Sequence, residues 1–194
     1  MIFTKLFIAA LFAGLLSLNT LAATQEINGV KVEDSATVAG STLKLNGAGT
    51  RYKVIFKVYV AGLYLTQKAD TLEKVVQQPG PKRLHVTMVR AINPNELGRL
   101  LTRGIEDNMG KAAMSKLIPG LIRMGEIFAA QKSLVSGDTF QIDWIPGKGT
   151  QIIVKGVAQG EPFKEPEFFA ALMSIWLGHS PADFKLKEAL LGGK

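Results

Sequence analysis

Arg51 and Tyr59 stand inside GAGTRYKVIFKVYVAGLYL, residues 47–65, a run that is otherwise mostly apolar, β-branched and aromatic and reads as strand. A guanidinium is a planar, always charged fork of donors that suits a carboxylate or phenolate, and a phenol adds one more donor. At the edge of an apolar surface the two would hold a ligand with an acidic head and a greasy body. Strand alternation puts Arg51, Lys53, Ile55, Lys57 and Tyr59 on one face. Tyr52, Val54, Phe56, Val58 and Val60 fall on the other, which is the expected core face. The first face starts basic and ends at Ala61, Leu63 and Leu65, so Tyr59 falls where a basic surface turns apolar. The plainer reading makes Arg51 a solvated strand-end residue and Tyr59 a rim residue with its hydroxyl in water. Lys53 and Lys57 are read as facing water. Distance is an obstacle to pairing: the step from Arg51 to Tyr59, fully extended, spans roughly 26–29 Å. No Gly, Pro or Asn between Tyr52 and Val58 marks a bend.

Other chemistries find less support. Gly47-Ala48-Gly49 lacks the third glycine of a dinucleotide fingerprint and leads into a strand where that fingerprint needs a helix, so it reads as a tight bend. His85 and His179 have no metal-ligand spacing and read as structural or exposed. There is no GxSxG elbow. Glu106, Asp107, Asp138, Asp143 and Glu161 show only ordinary surface placement. No metal or cofactor is expected.

Residues 1–22 carry one lysine, Lys5, ahead of the apolar run Leu6–Leu18 and a small-residue end at Ala22-Ala23. That pattern is a Sec-type signal peptide cut after Ala22 or Ala23, leaving no stable membrane anchor and one domain over 23–194. With no cysteine, a lipidated signal is excluded and disulfides contribute nothing. Removing Lys5 takes the formal charge from +7 to +6. The cations are scattered without a basic helix or tract, which argues against a nucleic-acid partner and leaves small anionic ligands.

The elements that must position Arg51 and Tyr59 read as an antiparallel sheet with a layer of helices. Strands are expected at Ile27–Val32, Leu43–Leu45, Tyr52–Leu65 and Leu84–Val89. Asn93-Pro94-Asn95-Glu96 opens a helix expected to run to about Ser115. A second is expected from about Pro119, carrying Leu121, Ile122, Met124, Ile127 and Phe128. A hairpin follows, Thr139–Ile145 and Gln151–Val157, then helices at Glu165–Leu177 and Pro181–Leu191, the last capped by Ser180. The order is that of an α+β domain.

Two segments, Leu45-Asn46-Gly47-Ala48-Gly49-Thr50-Arg51 and Phe56-Lys57-Val58-Tyr59-Val60-Ala61-Gly62-Leu63-Tyr64-Leu65, resemble the chalcone isomerase family, particularly its bacterial exported branch. Val86-Thr87-Met88 and Leu177-Gly178-His179-Ser180-Pro181 agree with it. The resemblance implies an antiparallel sheet and a helix layer enclosing a ligand cleft. In the plant enzymes this arginine polarises the substrate carbonyl and attracts the phenolate that closes a chalcone to a flavanone; Arg51 matches it. The enzymes' catalytic threonine falls at Tyr59, and a tyrosine there is similar to the family's fatty-acid-binding members, where arginine and tyrosine hold a carboxylate. The enzymes' helix tyrosine and asparagine fall at Leu97 and Gly104, which cannot orient a water or a ketone oxygen. Their late threonine or serine falls near Ser174 or Ile175.

The resulting expectation is a periplasmic, non-catalytic binding protein. It would hold a fatty acid or similar amphipathic carboxylate through Arg51 and Tyr59. Leu97, Leu100, Leu101, Ile105, Phe168, Leu172, Ser174 and Ile175 would supply the cleft. The alternative is an intramolecular lyase acting on phenolic enones with Arg51 as the catalytic group. A third reading, a protein-interaction module, predicts a closed cleft and a large apolar surface patch.

Overall fold

Tight turns cut the chain where the sequence pattern reads as unbroken strand. A computed structural model describes residues 24–193, so the expected signal peptide lies outside the described residues. At Asn28 and Gly29 the backbone takes φ of 50° and 80°. The strand expected over Ile27–Val32 is therefore a hairpin of β1 (Thr24–Ile27) and β2 (Val30–Glu33), as the Asn-Gly pair favours. The second misread run matters more. Tyr52–Leu65 is not one strand: β4 (Ser41–Lys53) ends in it, the chain reverses at Val54-Ile55, and β5 (Phe56–Leu65) returns antiparallel.

Seven strands form one antiparallel sheet in the order of the sequence. These are β3 (Ser35–Val38), β4, β5, β6 (Lys82–Met88), β7 (Thr139–Ile145), β8 (Gly149–Val154) and β9 (Val157–Ala158). Tyr59, Ala61, Leu63 and Leu65 of β5 join the main core with Leu84, Val86 and Met88 of β6 and Phe140 and Ile142 of β7. The face expected to be core is thus the other one. Its first members, Tyr52, Val54 and Phe56, are exposed at the hairpin tip, while Val60 and Tyr64 lie beneath the β1–β2 hairpin.

Helices cover the core face. α1 (Leu72–Gln77) was not apparent in the sequence. α2 (Pro94–Glu106) is capped by Asn93, whose Oδ1 accepts the N–H groups of Asn95 at 2.9 Å and Glu96 at 3.3 Å. It ends earlier than expected, and α3 (Lys111–Ala129) runs through Pro119. The break falls at Asn108-Met109-Gly110, where the Asn108 amide donates to the carbonyls of Gly104 and Ser180 and accepts the Ser180 N–H. α4 (Pro166–Leu177) is buried on nearly all sides, packed between sheet and neighbouring helices, as an all-apolar helix must be. α5 (Phe184–Leu190) is capped by Asp183 instead of Ser180, with Oδ1 accepting the N–H groups of Lys185 and Leu186.

The sheet carries two charged groups out of water. Asp143, expected on the surface, is 3% exposed and takes a two-pronged ion pair from Arg83, its register partner on β6, at 2.7 and 2.6 Å. Lys82 is 2% exposed, its ammonium donating to the Gly80 carbonyl at 3.2 Å and lying near the rings of Trp144 and Phe169.

Burial lowers the Lys82 pKa from 10.5 to about 8. Between those values the unfolded chain holds a proton that the folded chain has released, so stability rises with pH across the window. Burial raises Tyr59 and Tyr64 from 10.0 to about 12, so above pH 10 the unfolded tyrosines ionise first and stability falls. Urea denaturation from pH 7.5 to 9.5 is expected to show the rise in the wild type and its loss in Lys82→Met. Equal slopes would contradict the role given to Lys82.

Candidate functional site

The reversal at Val54-Ile55 brings Arg51 and Tyr59 side by side as register partners. Residues directly opposed on paired strands lie about 5 Å apart, so the distance obstacle disappears. A bulge refines the arrangement: Arg51 pairs with Tyr59 and Tyr52 with Lys57, leaving Val58 as an extra residue. A bulge re-aims side chains, and Val58 and Tyr59, although consecutive, both line the same cavity.

That cavity has a volume of about 230 Å³. Arg51, Val58 and Tyr59 form its sheet side; Leu97, Leu100, Leu101 and Gly104 of α2 and Ile175 of α4 form its apolar wall; Ser180, Pro181 and Ala182 close one edge. Gly104 has a packing reason, since a Cβ there would meet Ile175 Cγ2 at 3.0 Å. Arg103 and Asp107, an exposed pair 3.8 Å apart, also line it.

Of the residues singled out in the sequence, Arg51, Tyr59, Leu97, Leu100, Leu101 and Ile175 therefore converge on one cavity. Ser174 does not. Its hydroxyl donates to the Ala171 carbonyl at 2.6 Å, and its side of α4 lines a separate open groove with Asp70 and His179. Ile105, Phe168 and Leu172 are buried in the core without lining the cavity. Lys53 and Lys57 are exposed, Lys53 lying 3.5 Å from Glu96.

Sequence reasoning missed Trp176. Its indole Nε1 donates to the Tyr59 hydroxyl at 2.8 Å, with both residues buried. A buried indole N–H needs an acceptor, which is the signal that could have pointed to it. With its oxygen accepting from Trp176, the Tyr59 hydroxyl keeps its own proton available to donate. Burial raises its pKa to about 12 despite the opposing pull of Arg51 and the Trp176 hydrogen bond, so at neutral pH Tyr59 is a donor and not a phenolate.

Arg51 is half-buried, with its guanidinium carbon 5.7 Å from the Tyr59 ring centroid. Among the described residues no carboxylate pairs with it. The nearby Asp183 carboxylate instead accepts the N–H groups of Tyr52, Lys185 and Leu186. A guanidinium partly withdrawn from water with no carboxylate bonded to it favours an anion beside it.

The comparisons with known proteins agree with this architecture. The crystal structure of the Arabidopsis thaliana fatty-acid binding protein AtFAP1 superposes with a TM-score of 0.66, at 14% identity, over 88% of this chain and 96% of that one. No curated protein matches the sequence at a significant level. The family model described as chalcone isomerase-like matches residues 24–192, so the chain belongs to the chalcone isomerase-like family.

Proposed function

We propose that the chain is a non-catalytic binding protein that clamps the carboxylate of a fatty acid or similar amphipathic acid between Arg51 and Tyr59. The observation that carries this reading is the guanidinium without a carboxylate partner, set beside a protonated phenol at the head of an apolar cavity. Arg51 supplies the charge and Tyr59 a donor already fixed by Trp176. Val58, Leu97, Leu101 and Ile175 would pack along the chain of the ligand.

The fold shared with a plant fatty-acid binding protein supports the same reading. At about 230 Å³ the cavity is below the ~300–1,000 Å³ of ordinary ligand pockets. A short or medium acyl chain, or one that enters only in part, suits it better than a long chain. Against the lyase alternative, Leu97 and Gly104 offer the cavity no side-chain polar group, and Tyr59 does not act as a base at neutral pH. Arg51 alone would have to stabilise developing charge. The setting proposed is the bacterial periplasm, reached through residues 1–22; N-terminal sequencing of periplasmic protein should then begin at Ala23 or Thr24.

In titration calorimetry with decanoate, Arg51→Ala is expected to weaken binding by about 1.5–3 kcal/mol, roughly ten- to a hundredfold, the range for a hydrogen bond to a charged group. Unchanged affinity would remove Arg51 as the anchor. Loss of chalcone absorbance above the spontaneous rate, abolished by the same substitution, would favour the lyase.

A further inference from the structure

The β4–β5 turn breaks the usual chemistry of its type. Two-residue hairpin loops favour Asn, Asp or Gly, because at least one central residue takes positive φ. Here the loop is Val54-Ile55, and Val54 sits at φ 59°. Four non-glycine residues have positive φ in the described chain, and Val54 is the only one branched at Cβ, for which that conformation is strained. Local folding does not explain the choice. Nor does packing: Val54 is 90% exposed, Ile55 78% and Phe56 57%.

Cations surround this apolar tip. Lys53 and Lys57 flank it in sequence, and the exposed Arg90 holds its guanidinium 5.1 Å from the Phe56 ring centroid. Glu96, at 3.5 Å from Lys53, is the one carboxylate paired with any of the three among the described residues. A second aromatic lies beside the hairpin's base. Phe184, 64% exposed, follows the Asp183 whose Oδ2 accepts the Tyr52 N–H.

We infer that the β4–β5 tip docks on an anionic lipid bilayer, with Val54, Ile55 and Phe56 entering the interface and Lys53, Lys57 and Arg90 resting against phosphate headgroups. Apolar side chains ringed by cations are what an anionic interface binds, through buried area and charge together. A turn sequence unsuited to its own backbone is accounted for when its side chains act outside the protein. The geometry also gives docking a purpose, which rests on the ligand reading above. Arg51 and Tyr59 lie on the same two strands just behind the tip, so a docked molecule presents its anion site where amphipathic acids partition.

The test is flotation of the mature protein with vesicles of phosphatidylglycerol and phosphatidylcholine mixed, against phosphatidylcholine alone. Binding is expected to the anionic vesicles, to weaken as salt rises, and to fall about tenfold or more in Ile55→Asp. The double variant Val54→Gly, Ile55→Asn supplies the glycine that a two-residue turn with positive φ at its first central position alone favours. It should unfold at higher denaturant than the wild type while losing the vesicles. Wild-type protein that ignores anionic vesicles, or variants that still float, would overturn the proposal. A dimer in sedimentation that the variants lose would assign the tip to a second copy of the chain and overturn it equally. Decanoate affinity measured without vesicles separates the two readings: the tip variants should keep it, whereas Arg51→Ala should lose it.

Discussion

Alanine in place of Gly47 is expected to cost about 3 kcal/mol or more in chemical denaturation, an effect at the upper end for one added methyl. The added Cβ would press on the Ala189 carbonyl and lie 2.9 Å from that of Leu190. These are backbone atoms of α5 and its end, which cannot rotate away. The register step between Leu45 and Gly47 leaves Asn46 as the extra residue of a bulge. Its amide donates to the carbonyls of Ala69 and Leu190 and accepts the Ala69 N–H, all at 2.7–2.8 Å. Moving α5 breaks the bond to Leu190, uncovers Leu186 and Leu190, and strips a wall from the cavity, because Pro181 and Ala182 lead into that helix. Gly49→Ala is expected to cost less, since its Cβ would overlap α5 more mildly, lying 2.8 Å from Ala189 Cβ and 3.3 Å from the movable Leu186 Cδ1. An equal or larger loss at position 49 would mean that α5 is not held where the geometry puts it.

Asp143→Ala should cost about 3–5 kcal/mol, the range for breaking a buried ion pair by removing one partner. The damage lies in what remains. Arg83 keeps a charge at 16% side-chain exposure on the sheet face beneath the β1–β2 hairpin, with both oxygens of its carboxylate partner removed. Replacing both residues, as Arg83→Met with Asp143→Leu, should recover most of the loss, because desolvation of a buried pair offsets much of its attraction. Denaturation of the single and double variants forms the check. A double variant as unstable as the single one would mean that the pair itself, and not the stranded charge, holds the face together.

The same pair shows where sequence reading stops. Alternation placed Asp143 in a strand but could not say that both faces of that strand are covered, one by helices and the other by a hairpin from the far end of the chain. The α+β order was legible because turns and caps are local: Asn93 before Pro94, Pro166 at the head of α4, and the Pro146-Gly147 turn each act on their own neighbours. Boundaries failed where a distant partner decided them. Asn108 ends α2 by binding Ser180, 72 residues away, while Pro119, the obvious breaker, is absorbed within α3. Arg51 and Tyr59 were legible as residue types and as a family pattern. Their meeting was not, because the turn that joins them is written in Val and Ile.

The bond between Asn46 and Leu190 spans 144 positions, whereas from β3 to β9 each strand pairs with the one before it. The sheet can therefore zip up in the order the chain is made, each strand onto the one before it, at a closure cost that grows only slowly with the length of each connection. The cavity cannot. Its last edge arrives with α5, so the scaffold precedes the vessel. A chain still being made would carry the arginine and the tyrosine already in register, yet would have no closed cavity beside them until α5 locked onto Gly47 and Asn46.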